Sequence, residues 1–477
     1  MSSDSASEGG PALQGAAAPA AGVLRRELGY WDLIVYGLCY IAPMTPLTII
    51  GFVWRASNGL IMLVYLLGGL CMYFTAKSYA LMSGSVPNAG SVYGFARHSI
   101  GPMAGFLAGW LILLDYLLIP ALVYVLMSLA LTQLFPQIDQ AVWIVLLVAV
   151  TLAVNWFGVT VTSRVNTVSV AVQLAVMITF SAFGIAALHA GKGTGALTLR
   201  PLFDSAAFDS ARIFAATSIC ILSFLGFDAI STLAEEVRDR GNRLIGRAIM
   251  SVLLLAAAFF FLFSWVCGNL LVGFNIKDPA LAAYELAAQF IGPWGVIALA
   301  WIYAVVVGFT NALPMQVGVA RVLFAMARDR QLPALLARVH ARYGTPYVGM
   351  LVTTAISLAA ALAMRNRLDQ LASVVNFGAL MGFLFLHISV VVHFGVRRHS
   401  RNWFTHWLVP LCGVIVVLAI LANMSHLALL VGGLWLATGI VYGIRLRILS
   451  KRDPRTASER RLRSLKSQIK AEDSLGF

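Results

Sequence analysis

The sequence has few charged residues, and few acidic ones in particular. Charged residues make up 11% of the 477 residues, and only 20 are Asp or Glu. Soluble domains typically carry about 25% charged residues. Because 60% of the residues are hydrophobic and the mean hydropathy is +0.84, most of the chain is expected to lie in a lipid bilayer. A soluble multidomain protein is excluded.

The sequence also lacks the motifs of membrane enzymes and primary pumps. It has no HExxH or GxSxG motif and no GxxxxGK[ST] phosphate-binding loop. Its five cysteines lie in separate apolar segments, without metal-ligand or redox spacing, and we expect them to pack in the core. We therefore expect neither an enzyme nor a bound cofactor or metal.

Long apolar runs are the main feature that the sequence does have. About twelve of them reach the roughly 20 residues that a membrane-spanning helix needs. They lie at approximately 30–54, 60–83, 101–134, 140–157, 163–190, 211–235, 245–272, 293–322, 347–364, 369–395, 406–424 and 426–449. An even number of spans places both termini on the same side of the membrane.

The basic residues orient these spans. When the 34 Lys and Arg residues are sorted onto alternating sides, 27 fall on one side and seven on the other. The seven are Arg55, Lys192, Arg200, Arg212, Lys277, Arg365 and Arg367. Cytoplasmic loops carry an excess of Lys and Arg, so both termini are expected in the cytoplasm, with the chain in the plasma membrane, the inner membrane in a bacterium. The net charge of +14 is then a topology signal, and we expect the lipid bilayer and no nucleic acid as a partner.

Two of the apolar runs are interrupted near mid-membrane. The run 34–52 is broken at APMTP (42–46), and the run 213–233 is broken at SFLGFD (223–228). Non-helical backbone at that depth persists only where protein or a polar cavity surrounds it. A pair of broken helices in corresponding positions of two halves is typical of a transporter substrate site.

The positions of the breaks predict how the chain is organised. If each broken helix opens a five-helix unit, at about 30–190 and 211–395, the units enter the membrane from opposite sides and form an inverted repeat. Residues 396–449 then add two spans outside the repeat. Residues 1–27 are expected to be a disordered cytoplasmic extension, and 450–477 a basic cytoplasmic tail.

Several motifs resemble those of the amino acid-polyamine-organocation superfamily. The stretch SFLGFDA (223–229) with TLAEE (232–236) is similar to its sixth-helix signature. The run ARVLFAMARD (320–329) is similar to a family motif later in the chain, and PNAGSVY (87–93) is similar to the family's loop after the second helix. Within the superfamily, APMT (42–45), LLDYL (113–117) and NFGAL (376–380) most resemble the bacterial putrescine importer group. The resemblance implies an all-α, LeuT-like fold of five plus five helices with discontinuous helices 1 and 6, and secondary transport.

The first break favours a substrate without a carboxylate. Amino-acid carriers of the superfamily offer free backbone N–H groups there to a substrate carboxylate, but Pro43 and Pro46 have no N–H. The hydroxyls of Thr45 and Thr48 and nearby carbonyls remain, and carbonyls favour a cation. An alternative is that the prolines only kink a structural helix.

Acidic residues inside the membrane are candidates for a functional role, because placing a charged side chain in lipid costs free energy. Asp115 lies near mid-depth of the third span and Asp228 lies at the second break. Both are candidates for substrate binding and proton coupling, with helix–helix hydrogen bonding as the alternative. Glu235 and Glu236 lie near several arginines and are candidates for a cytoplasmic gate.

Aromatic residues near the breaks are candidates for closing the site or stacking on an ammonium group, although packing is the alternative for each of them. The predicted substrate-binding residues are Tyr40, Ala42, Met44, Thr45, Thr48, Asp115, Tyr116, Phe224, Gly226, Phe227, Asp228 and Trp301. Tyr303 is a further candidate, whereas Asn311, Asn376 and His387 are expected mainly to bond neighbouring helices.

Two departures from the family pattern bear on coupling and substrate. Many proton-coupled members carry a Lys on the fifth helix where this chain has Gln173, which cannot titrate. If coupling is to protons, the candidates for carrying them are Asp115, Asp228 and His387. The putrescine importer group tends to carry an acid one turn beyond the first break, where this chain has Thr48. The sequence therefore predicts a carrier driven by membrane potential, a proton gradient or both. This carrier is expected to import putrescine or a related polyamine. A monoamine, an amino alcohol or an amino acid is an alternative substrate, and a channel or sensor is less favoured.

Overall fold

A computed structural model describes residues 28–86, 91–157, 163–233, 237–238, 243–340 and 345–452. Within these ranges the chain is helical, and its one element of extended pairing is an isolated bridge between Leu28 and Val237. The predictions for residues 1–27, for 453–477 and for Glu235 and Glu236 lie outside the described residues. The predicted all-α class is confirmed.

The described residues form sixteen α-helices, joined in places by short 3₁₀ or π-helical turns. They are α1 (Tyr30–Ile41), α2 (Thr45–Ala56), α3 (Ile61–Ser85), α4 (Ser91–Ser99), α5 (Pro102–Leu134), α6 (Gln140–Trp156), α7 (Ser163–His189), α8 (Ser210–Cys220), α9 (Arg243–Leu270), α10 (Ala282–Phe290), α11 (Pro293–Trp301), α12 (Gly308–Arg328), α13 (Tyr347–Met364), α14 (Leu368–Val390), α15 (Val409–Ala422) and α16 (His426–Arg452).

Nine segments of the described chain are long and apolar enough to cross a membrane as single helices. Two further candidates are bent pairs: α1 and α2 meet at 43°, and the segments Ser210–Phe224 and Phe227–Leu233 meet at 41°. A helix satisfies its own backbone hydrogen bonds, which is why apolar runs of this length fold as helices in lipid. The predicted span at 140–157 corresponds to α6, an apolar helix of 17 residues, so the count of twelve stays a prediction, as does the inverted repeat.

Helix α5 forms the centre of the bundle. Its 33 residues correspond to about 50 Å of helix, and it packs against α4, α6, α12, α13, α14 and α16. Gly101, Gly105 and Gly109 recur at four-residue spacing, which predicts a small-residue face that lets helices approach closely, and the short helix α4 packs against α5 there. A Cβ atom on Gly105 would lie 2.5 Å from the Cβ of Arg97, and one on Gly109 would lie 3.2 Å from the Tyr93 ring. These glycines let α4 lie directly on α5.

The last helix, α16, is joined to α5 by two reciprocal hydrogen bonds between a pair of tryptophans. The indole N–H of Trp110 donates to the carbonyl of Trp435 at 2.8 Å, and the indole N–H of Trp435 donates to the carbonyl of Trp110 at 2.7 Å. The two rings stack with their centroids 4.6 Å apart. Most of the remaining surface of α16 is exposed and apolar, as expected for a helix that faces lipid.

Candidate functional site

The first break lies between α1 and α2 and is built by Ala42, Pro43 and Met44. Ala42 has a φ of +53°, which few residues with a Cβ adopt, and the helix restarts at Thr45. The Thr45 hydroxyl donates to the carbonyls of Ile41 and Ala42, at 3.1 and 2.8 Å. Carbonyls freed by the break are thus partly satisfied within the same segment.

The structure alters the expectation that the two threonine hydroxyls remain free. Thr48 donates its hydroxyl hydrogen to the carbonyl of Thr45 at 2.7 Å, so both hydroxyls are engaged by backbone and only their oxygens can accept further hydrogen bonds. The Met44 N–H points to the side-chain oxygen of Gln173 at 3.5 Å. Gln173 itself donates to Ser169 at 3.1 Å. The first break is therefore hydrogen-bonded to an uncharged polar side chain, Gln173, which is itself bonded to Ser169.

The second break separates two 3₁₀ segments that follow α8. Ile221–Phe224 continues the helix, and Phe227–Leu233 resumes it after Leu225 and Gly226. Gly226 has a φ of +115°, a conformation that a residue with a Cβ adopts only under strain. The family signature predicted this break, and the structure places it where the polypeptide changes direction.

The two breaks contact each other through Gly226. A Cβ atom there would lie 2.7 Å from the carbonyl carbon of Tyr40, in the last turn of α1. Two further contacts join the same segments: Gly37 on α1 faces Ile230, and the backbone of Leu28 pairs with Val237. Helix α1 and the segment Phe227–Leu233 therefore lie side by side along their length.

Asp228 forms the polar centre of this region. It is 5% exposed, and its carboxylate accepts from the hydroxyls of Tyr79 on α3 and Tyr116 on α5, at 3.5 and 3.4 Å. Both bonds are long, so the carboxylate is held loosely. Helices α3 and α5 and the segment Phe227–Leu233 thus meet at one acidic side chain.

Asp115 lies close enough to Asp228 for the two charges to interact. It is also 5% exposed, and its Oδ1 has no hydrogen-bond partner. Close packing fixes its position, because a Cβ on Gly378 of α14 would lie 2.6 Å from the backbone nitrogen of Asp115. Within the described ranges, no Lys or Arg forms an ion pair with either acid. Two buried carboxylates therefore share one site without a basic partner.

The predicted aromatic residues divide into two groups. Phe227 packs edge-on against Tyr79 at 5.9 Å and stacks with Phe383 at 6.2 Å. Phe224 instead packs between Tyr65 and Phe260, with ring centroids 6.3 and 5.3 Å away. Of these two phenylalanines, Phe227 is the one in ring contact with Tyr79, one of the two tyrosines that bond to Asp228.

The structure does not bring Trp301 to the breaks. This residue is 45% exposed on α11, and its ring packs against Phe135 at the end of α5. The neighbouring Tyr303 turns inward and lines a small cleft with Thr48, on the far side of the first break from α1. Tyr40 stacks on Tyr36 at 4.8 Å.

Sequence reasoning missed two groups at the site. Tyr79 was not a candidate, although Thr75, Ser78 and Tyr79 form a polar stretch in the apolar helix α3 that could have indicated it. Asn376 was expected mainly to bond a neighbouring helix, and it does donate to the carbonyl of Ser218 at 2.5 Å. Its Oδ1, however, is buried without a partner.

His387 occupies a different place from the acids. Its ring bonds to Ser78 at 2.9 Å and to Thr75 at 3.4 Å on α3, and Gly413 of α15 lies against the ring. The residue therefore joins α3, α14 and α15, as its packing interpretation predicted.

A multi-pass membrane bundle with two broken helices around a polar centre defines the class of membrane carriers. The profile of the amino acid permease family matches residues 32–441, so this chain belongs to that family. The resemblance identified from the motifs is confirmed.

Relatives in this family carry several kinds of substrate. The chain is 30% identical to the low-affinity putrescine importer PlaP of Escherichia coli, over 88% of this chain and 93% of that protein. It is 27% identical to the branched-chain amino acid permease BcaP of Bacillus subtilis, over 88% and 92%. It is also 27% identical to the methylthioribose transporter of Bacillus subtilis, over 88% and 93%.

The family assignment settles the general activity. The protein is a membrane transporter for a small molecule, as predicted, and not an enzyme. The three relatives differ in the substrates that their names give, so family membership leaves the substrate open.

Proposed function

We propose that the protein imports a small organic cation, with putrescine as the first candidate, by alternating access around the two breaks. The observation that carries this proposal is the acidic pair Asp115 and Asp228, buried together without a basic partner. Burying an unpaired charge is expensive, so such a pair in a membrane protein calls for a cation to neutralise it.

The unsatisfied buried atoms near this pair favour the same conclusion. Asp115 Oδ1 and Asn376 Oδ1 lack partners, and both oxygens accept hydrogen bonds. Asn376 lies seven residues, about two helical turns, before Phe383 on α14, and Phe383 stacks on Phe227 beside Asp228. Ammonium groups donate several hydrogen bonds and accept none, so an amine supplies what these oxygens lack.

The first break supports an amine more than an amino acid. Pro43 and Pro46 offer no N–H groups, and the Met44 N–H already faces Gln173. A substrate carboxylate thus finds few backbone donors here. PlaP, which is named as a putrescine importer, is among the relatives.

An amino-acid substrate is the second candidate, and Thr48 favours it. This position holds no acid, and its hydroxyl bonds to the backbone, so the second ammonium group of a diamine lacks a partner near the first break. The relative BcaP is named as a branched-chain amino acid permease. A monoamine satisfies both observations.

We further propose that uptake is driven by membrane potential, in a plasma membrane with both termini in the cytoplasm. A potential of 100 mV supplies about 2.3 kcal/mol per charge, and therefore roughly 4.6 kcal/mol for a dication. That corresponds to more than a thousandfold accumulation at ~1.4 kcal/mol per factor of ten. Gln173 cannot carry protons, so proton coupling assigns that task to Asp115 or Asp228.

The test is uptake of radiolabelled putrescine into proteoliposomes under an imposed inside-negative potential. Competing amines and amino acids identify the substrate class. We expect Asp115→Asn to abolish uptake, because it removes the unpaired negative charge while keeping the shape of the side chain. The matched control is Asp139→Asn, which makes the same chemical change at the exposed start of α6.

Two outcomes would contradict the proposal. Normal uptake by Asp115→Asn, at equal protein content, would remove the acid from the mechanism. Transport of an amino acid with no competition from amines would show that the carboxylate finds donors elsewhere, and the second candidate would replace the first.

A further inference from the structure

An arginine-rich turn lies at one end of the bundle, away from the acidic pair. It joins the π-helical turn Val391–Arg397, which extends α14, to the turn Phe404–Leu408, which leads into α15. Because two candidate membrane spans end and begin here, the turn lies where the bundle leaves the membrane. We call residues 397–404 the arginine turn.

The arginine turn has a defined conformation. The Ser400 N–H donates to the carbonyl of Phe394 at 3.0 Å, and the Ser400 hydroxyl bonds to His406 Nδ1 at 2.8 Å. The side chain of Asn402 accepts from the Thr405 N–H at 3.2 Å. Phe394 and His406 stack with their rings 4.3 Å apart. The exposed side chains of the turn are thus presented from a fixed backbone.

Its positive charge has no acidic counterpart. Arg397, Arg398 and Arg401 are all exposed, and none forms an ion pair within the described part of the chain. The sequence from 370 to 452 contains no Asp or Glu at all. Arg397 donates to the carbonyl of His98, and Arg398 lies over the ring of Phe394 at 5.6 Å.

The nearest charged groups from other elements do not neutralise the turn. Helix α4 contributes Arg97 and His98 beside it, and Arg97 already binds Asp329 at 2.9 Å. His393 packs against His98 with ring centroids 5.4 Å apart. It is 4% exposed, and its Nε2 has no hydrogen-bond partner. A buried polar atom without a partner is rare and calls for an explanation.

Aromatic side chains mark the depth of the turn in the membrane. Trp403 and Phe404 are each 63% exposed, next to Arg401. Tryptophan is enriched at the membrane–water interface, at the level of the lipid headgroups. The guanidinium groups beside these rings are therefore expected at the level of the lipid phosphates.

We propose that the arginine turn is a binding site for the phosphate headgroup of an anionic phospholipid, with Arg398 and Arg401 as its main contacts. Guanidinium groups bind phosphate oxygens through two parallel hydrogen bonds. A headgroup bound there supplies the negative charge that residues 370–452 lack. Its phosphate oxygens also offer a hydrogen-bond acceptor near His393. The site is independent of the substrate and of the acidic pair.

The test measures retention of phosphatidylglycerol by the purified protein, using native mass spectrometry and lipid titration in phosphatidylcholine nanodiscs. The double variant Arg398→Gln, Arg401→Gln is expected to bind phosphatidylglycerol about 30-fold more weakly, since each basic residue near an anionic surface contributes a factor of about five. The control is Arg212→Gln, Arg367→Gln, which removes the same charge from two exposed arginines assigned by charge sorting to the other side. It is expected to bind as the unmodified protein does.

A second variant separates folding from binding. Arg398→Lys, Arg401→Lys keeps the charge, loses the paired hydrogen bonds and is expected to show an intermediate affinity. Unchanged retention in the glutamine variant, or equal losses in variant and control, would overturn the proposal. If inorganic phosphate competes as well as the lipid does at equal concentration, the site binds soluble anions and the lipid assignment is wrong.

Discussion

The two helix breaks have different chemistry although they touch. The first break holds no charged residue, and its hydroxyls are engaged by its own backbone carbonyls. The second break carries Asp228, which accepts from tyrosines on two other helices and lies beside a second acid. The comparison indicates that the second break provides the electrostatic recognition of the substrate, whereas the first provides a shaped, neutral wall.

The largest effect is expected from a substitution at the contact that joins the two breaks. Gly226→Ala places a Cβ at 2.7 Å from the Tyr40 carbonyl carbon in a conformation that costs on the order of 1–3 kcal/mol for other residues. We expect complete loss of uptake because the breaks must separate. Proteoliposome uptake at matched protein content is the measurement. Gly433→Ala on α16 is the control, since nothing lies within 4 Å of its added methyl group, and full activity in both variants would disprove the contact.

A smaller effect is expected from the tyrosines that distinguish the second break. Tyr116→Phe and Tyr79→Phe each remove one donor to Asp228. A hydrogen bond to a charged group contributes about 1.5–3 kcal/mol, and we expect the lower end of that range because these bonds are long, at 3.4 and 3.5 Å. The half-saturating substrate concentration should therefore rise about tenfold in each variant. Concentration-dependent uptake measures it, with Tyr73→Phe, at a partly exposed site on α3, as the control. Unaltered saturation in both variants would assign the tyrosines to packing.

The smallest effect is expected at the first break. Thr48→Val removes a hydroxyl that donates to the carbonyl of Thr45 and lies in one cleft with Tyr303, and a neutral hydrogen bond contributes about 1 kcal/mol. Affinity for the substrate should therefore fall by no more than about fivefold. The same uptake assay measures it. A loss as large as that in the tyrosine variants would mean that the first break binds the substrate directly, and the contrast between the breaks would disappear.

The sequence predicted the breaks because their residues violate the rules of an apolar helix. Proline at 43 and 46 and the pair Gly226 and Asp228 interrupt runs that are otherwise suited to lipid, and such local conflicts concentrate at functional sites. The sequence also singled out Asp115 and Asp228 as intramembrane acids, but it did not predict that they lie near each other.

What the sequence could not predict depends on how helices face each other. Tyr79 joins the site because α3 presents that face to the second break, and no periodicity within α3 specifies its partner. Trp301 was expected at the site, but it is 45% exposed, whereas Tyr303 is 5% exposed. Residues two apart on a helix lie about 200° apart around its axis. Tyr303 therefore points inward while Trp301 points to the outer surface, and the sequence does not specify which of the two faces the bundle.

The two hydrogen bonds between Trp110 and Trp435 can form only late in synthesis. The indole N–H of Trp110 lies about two turns into α5, and the residue whose carbonyl accepts it follows 325 residues later. At a synthesis rate of roughly 5–20 residues per second, the interval lasts about 16 to 65 seconds. During that interval the face of α5 that α16 finally covers is exposed to lipid or to other helices.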